Sequence, residues 1–62
     1  MEMFDKSRIY FLRVIIGNLP TYYTGKVIEE TETHIIVKTI KGEIARIAKD
    51  NIERAKAEGG QQ

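Results

Sequence analysis

Hydrophobic positions in this chain fall in short runs rich in β-branched and aromatic residues, each closed by a polar or glycine-bearing turn. "RIYFLRVII" (8–16) carries apolar residues on both faces of a strand, the pattern of a strand central in a barrel or covered on its second face by a neighbour. "GNLPT" (17–21) reads as a turn, because Gly17 and Asn18 tolerate positive φ and Pro20 interrupts a ladder. "YYTGKVIEE" (22–30) is the second strand, and Gly25 within it predicts a sharp bend or a close backbone approach. "TET" (31–33) turns the chain into "HIIVKTI" (34–40), and Lys41-Gly42 then supplies a hairpin turn. In "EIARIA" (43–48), Ile44, Arg46 and Ala48 alternate with Glu43, Ala45 and Ile47, which leaves one side more polar.

The end of the chain admits two elements. Asp50 with Glu53 three residues later has the form of a capping box, which would start a short helix over "IERAKAE". Equally, "NIERA" (51–55) suits a short fifth strand pairing with a neighbour, and Ile52 turns inward either way. Residues 1–7 would form one helical turn or stay loose, with Met3 and Phe4 covering an open end of the core. Successive short strands with these closures predict an all-β fold, a small SH3-like barrel of about five strands with short terminal helical turns. The domain spans residues 1–57, and "EGGQQ" (58–62) is a flexible tail.

Size sharpens this picture. A chain of 62 residues is at most one domain, and one so short buries only about 60% of the surface its unfolded form exposes. Small domains compensate with disulfides, metals or oligomerisation. The chain has no cysteine and a single histidine, so a homo-oligomer is the expected stabiliser and no metal or cofactor is expected. Ten basic and nine acidic side chains leave a net charge of +1, unlike a protein that coats nucleic acid by charge alone. "MEMFDKSR" is short and acidic for a signal peptide, and no apolar run approaches membrane-spanning length. A cytoplasmic protein without membrane contact is expected. No nucleophile, base and acid stand at a recognisable spacing, so an enzyme is not expected.

Three segments carry a resemblance to a known family. "RVIIGNLPTYYTGKVIEE", with Gly25 at a bend glycine, "HIIVKT", and the closing "IAKDNI" (47–52) together resemble the Sm-like (Lsm/Hfq) family of RNA-binding proteins. The resemblance runs through residues 9–55. It implies a strongly bent five-stranded sheet, a ring of six or seven subunits joined through edge strands, and single-stranded RNA bound around the pore. It also implies that Glu30 takes the place of the family's base-clamping aspartate and His34 that of its asparagine. Nothing aromatic fills the family's stacking position in "EETETH", and the family's Arg-Gly has become Ala48-Lys49.

The candidate RNA-binding residues are therefore His34, Lys49, Asn51 and Tyr22. Ring symmetry would repeat Lys49 with Asn51 around the axis and focus their polarity there. Tyr22 and Tyr23 point to opposite faces of a strand and do not easily serve one platform; one reading stacks an aromatic face on a base, and the other puts one ring in the core and the other at a subunit edge. Lys38, Lys41 and Arg46 lie around the hairpin between the third and fourth strands as solvated charges. The acids of "EETE" (29–32) lack the ligand array of a calcium loop and solubilise their turn. Ile9, Phe11, Tyr23 and Ile52 are the candidate oligomer contacts. The expected function is non-enzymatic binding of single-stranded RNA by a homo-oligomer. The alternative is a structural or protein-interaction module on the same barrel.

Overall fold

In the computed structural model, which describes residues 3–59, the four expected strands form and a fifth follows them. They are β1 (Ile9–Ile16), β2 (Leu19–Glu30), β3 (His34–Thr39), β4 (Ile44–Ala48) and β5 (Ile52–Ala57). All pairings are antiparallel, in one sheet of order β4-β3-β2-β1-β5. The ending resolves as a strand: a short 3-10 turn, Lys49–Asn51, separates β4 from β5 and has no side-chain cap. Pairing with β1 satisfies the backbone of these residues and places Ile52 opposite Val14.

The order of strands forces the sheet to curl. β4 and β5 lie at opposite edges, which in a flat sheet would stand about 19 Å apart at about 4.8 Å per strand. The chain from Ala48 to Ile52 reaches about 14 Å even at full extension, and it is coiled into a 3-10 turn. Only a barrel-like sheet brings the edges within that reach. Its interior holds Phe4, Leu12, Val14, Val27, Ile35, Val37 and Ile47, with Tyr10, Tyr23, Ala45 and Ile52 packed against them.

Two irregularities shape β2. A Cβ on Gly25 would collide with the Lys38 carbonyl oxygen and sit 2.7 Å from Thr39 Cα, so this position requires glycine for the close approach of β2 and β3. Farther on, the β2–β3 register slips between Val27 and Glu29. Val27 pairs with Val37 and Glu30 with Ile35, and both partners are fully buried. The bulge therefore turns Glu30 inward, where simple alternation from Val27 would send it to solvent.

The first hairpin is tighter than expected. Gly17 (φ 57°) and Asn18 (φ 69°) alone form the turn, as in a type I′ hairpin, and β2 begins at Leu19 rather than Tyr22. Pro20 lies within the ladder, opposite Ile15. It is accommodated because Ile16 and Leu19 close the hairpin, so alternation points the Pro20 nitrogen away from β1, and β3 pairs with β2 only from Gly25 onward. The second expected hairpin forms at Lys41-Gly42, with Gly42 at φ 88° and its amide donating to the Thr39 carbonyl at 2.9 Å.

Residues before β1 form a hydrogen-bonded turn. The Arg8 amide donates to the Asp5 carbonyl at 3.1 Å, and the Asp5 carboxylate accepts from the Ser7 hydroxyl at 2.6 Å and the Ser7 amide at 2.9 Å. Those Ser7 bonds hold the Asp5 carboxyl below the ordinary aspartate range. Phe4 is buried and meets Tyr10 edge-on, with ring centroids 5.1 Å apart, while Met3 stays exposed. After β5, the Glu58 amide donates to the Ile9 carbonyl at 2.7 Å. The remainder of the expected tail, residues 60–62, lies outside the described residues. Among the described residues, no helix is long and apolar enough to cross a membrane.

Candidate nucleic-acid interface

The inward direction of Leu12 and Val14 fixes the outward direction of Phe11 and Arg13 between and beside them. Cross-strand pairing then assigns their neighbours. Phe11 lies between Thr24 of β2 and Lys56 of β5, and Arg13 lies between Tyr22 of β2 and Arg54 of β5. Two adjacent rows on the outer face thus read Lys56–Phe11–Thr24 and Arg54–Arg13–Tyr22. Phe11 is 45% exposed and Tyr22 70% exposed, and together with the basic residues they line an open groove of about 470 Å³.

The electrostatics of this face differ from those of the whole chain. Arg13, Arg54 and Lys56 converge on it, and Glu53 is the acid that answers them, through an Arg13 Nη1–Glu53 Oε1 contact of 2.7 Å. Arg13 Nε is shielded from water and has no hydrogen-bond partner among the described residues. A near-neutral protein therefore carries a basic surface studded with two flat rings, a combination suited to stacking on bases while neutralising phosphates.

The residues expected to bind RNA do not assemble in one place. His34 and Asn51 line a common cleft with Val14, Ile16, Arg46 and Ala48. The His34 ring is half-buried there, with Nδ1 2.8 Å from the Thr33 hydroxyl oxygen. Tyr22 belongs to the outer-face groove instead. Lys49 lines a third cleft, beside Met3, Phe4 and Ile52.

Lys49 is also committed to a partner. Its ammonium lies 2.6 Å from Glu30 Oε2, with the Lys49 side chain 14% exposed and that of Glu30 1%. The same carboxylate accepts the Met3 amide at 2.9 Å and the Phe4 amide at 3.2 Å. Burial works against the charge on Glu30, but the Lys49 ammonium and the two amides outweigh it and hold the carboxyl below the usual glutamate range. Glu30 and Lys49 thus act as a pin between β2, the 3-10 turn and the segment that delivers Phe4 to the core.

The expected oligomer contacts come together only in part. Tyr23 and Ile52 pack against the core, Phe11 and Tyr23 both line the outer-face groove, and Ile9 borders a different, mainly apolar groove with Ile28 and Ile40. Among the described residues, no group of His, Cys, Asp or Glu is arranged to hold a metal ion.

The residues that sequence inspection missed are Arg13, Arg54 and Lys56 as partners of the two rings. The signal for the last two was the alternation of basic residues in "RAK", which becomes meaningful only when residues 52–57 are a strand.

Comparison with known proteins identifies no relative. No family model matches the chain, and neither a curated protein nor a solved structure is detectably similar to it.

Proposed function

We propose that this protein is a non-enzymatic binder of single-stranded RNA that uses the outer face of β1, β2 and β5. The observation that carries this is the placement of exposed Phe11 and Tyr22 beside Arg13, Arg54 and Lys56 on adjacent cross-strand rows. An aromatic face contributes about 1–3 kcal/mol per stacked base, and the flanking cations add a salt-dependent attraction to phosphate.

Assembly into an Sm-like ring remains part of the proposal. Its support is the strand order, which leaves β4 and β5 as unpaired edges among the described residues, and the exposure of Ile40 (70%), in the turn before β4, and of Ile44 (60%), its first residue. Edge-to-edge pairing of successive subunits would satisfy those backbones and cover that apolar surface. The same apolar edge favours a second reading, in which protein contacts are the purpose of the barrel.

Fluorescence anisotropy with a short labelled RNA, combined with native mass spectrometry, tests both parts. Salt-sensitive binding that Phe11→Ala and Tyr22→Ala each weaken by roughly 5- to 150-fold supports the RNA function. An oligomer that takes up no RNA at low salt sinks it and leaves the interaction module. A monomer that binds RNA removes the ring and keeps the outer-face site.

A further inference from the structure

Beside the aromatic rows lies a pair of like charges. Lys26 of β2 faces Lys38 of β3 directly across the sheet, and both side chains are on the exposed surface. Facing residues have Cβ atoms about 4.5–5.5 Å apart, and like charges in that position destabilise a sheet. Their row continues to Ile9 on β1 and Ile44 on β4, so neither next neighbour supplies a carboxylate. No ion pair forms at either ammonium among the described residues.

The fold draws these two lysines together rather than apart. Gly25, adjacent to Lys26, permits the close approach of its strand to the Lys38 carbonyl. Both lysines line a groove whose walls are Ile9, Ile28 and Ile40, and low-dielectric walls concentrate the field of a charge. Two concentrated positive charges without a counter-charge match one group best, an anion seated between them.

We propose that the Lys26–Lys38 pair is a phosphate subsite for the backbone of single-stranded nucleic acid, continuing the Phe11–Tyr22 platform. This inference rests on the RNA-binding function proposed above. Lys26 is two residues beyond Thr24, so the pair lies about 7 Å along β2 from the Phe11 row and about 13 Å from Tyr22. A strand laid along β2 places bases on Phe11 and Tyr22 and a neighbouring phosphate between the ammonium groups.

The test compares the wild-type protein with Lys26→Gln, Lys38→Gln, the double variant and Phe11→Ala, titrating a labelled oligouridylate over a series of salt concentrations. Each lysine that contacts phosphate contributes about 0.7 to the slope of log affinity against log salt. Each Gln variant should therefore lose about 0.7 of slope and the double variant about 1.4, whereas Phe11→Ala should weaken binding at unchanged slope. The double variant should also melt at a higher temperature than wild type, because the repulsion is gone.

Wild-type binding with an unaltered slope in the double variant overturns the subsite and spares the platform. A lower melting temperature in the double variant also overturns it, since the pair would then not be a site of unrelieved repulsion. Displacement of the oligonucleotide by micromolar inorganic phosphate, at matched ionic strength, overturns it in favour of a small-anion site. Absence of wild-type binding at low salt overturns subsite and platform together.

Discussion

Glu30→Gln is the substitution most directly judged by this structure. The change keeps the shape of the side chain and removes the charge that accepts Lys49 at 2.6 Å and the amides of Met3 and Phe4. Breaking a buried ion pair by removing one partner typically costs about 3–5 kcal/mol. Two features lower that figure here. Lys49 retains a partial route to water at 14% exposure, and glutamine keeps one oxygen able to accept an amide. A loss of about 2–3 kcal/mol is expected. A domain of this size has roughly 3–9 kcal/mol of stability in total, and each 1 kcal/mol corresponds to about 4–8 °C in Tm. Urea denaturation followed by circular dichroism at neutral pH measures the loss, and a thermal melt should fall by roughly 8–24 °C.

The pH dependence supplies an internal check. The folded-state pKa of Glu30 lies below its ordinary value of 4.5. Its contribution is therefore fully present above the unfolded-state value and disappears as pH falls through the folded-state value. The stability difference between wild type and Glu30→Gln should be constant near neutrality and shrink below about pH 4. Adding Lys49→Met to the variant should recover stability, because it removes the cation left without its partner. A Glu30→Gln protein within about 0.5 kcal/mol of wild type at neutral pH would refute the pin.

Gly25→Ala should cost at least about 2 kcal/mol, because the colliding atoms belong to the β3 backbone and cannot rotate away; an unchanged melting temperature would contradict the close approach. Ile35→Ala, which empties a fully buried position, should cost about 2–5 kcal/mol in urea denaturation. Phe11→Ala and Tyr22→Ala should each leave stability within about 1 kcal/mol of wild type in the same assay, since both rings are substantially exposed.

Most of the sheet was legible because hydrophobic runs and turn chemistry agreed. Gly25 marked a close approach, and Gly42 marked a hairpin, each from a requirement that no other residue meets as well. The last element stayed open between helix and strand, because Asp50 and Glu53 offer local capping while β5 is held by a partner some forty residues earlier. Local spacing contains no record of that partner. Pro20 was misplaced for a similar reason: its tolerance depends on β3 stopping short of it, a fact about another strand.

The site was less legible than the fold. Glu30 and Lys49 lie far apart in sequence, and the bulge that turns Glu30 inward reverses the direction that alternation assigns. Lys49 thus reads as a free cation until its partner is seen. Tyr22 was visible as a stacking candidate and Phe11 as an oligomer contact, but their grouping with Arg54 and Lys56 exists only through the β1–β5 and β1–β2 registers.

The route of the chain also sets an order of assembly. β1 to β4 form by successive hairpins between sequence neighbours, whereas β5 must return across the whole meander to reach β1. Closing so large a loop costs more entropy than closing either tight hairpin, which makes the β1–β5 seam a late contact in folding and an early one to open. Opening it would separate Arg54 and Lys56 from Phe11 and Arg13. A ligand lying across those rows would then act as a clasp, and the amides of residues 54–57 should exchange with solvent more slowly when it is bound.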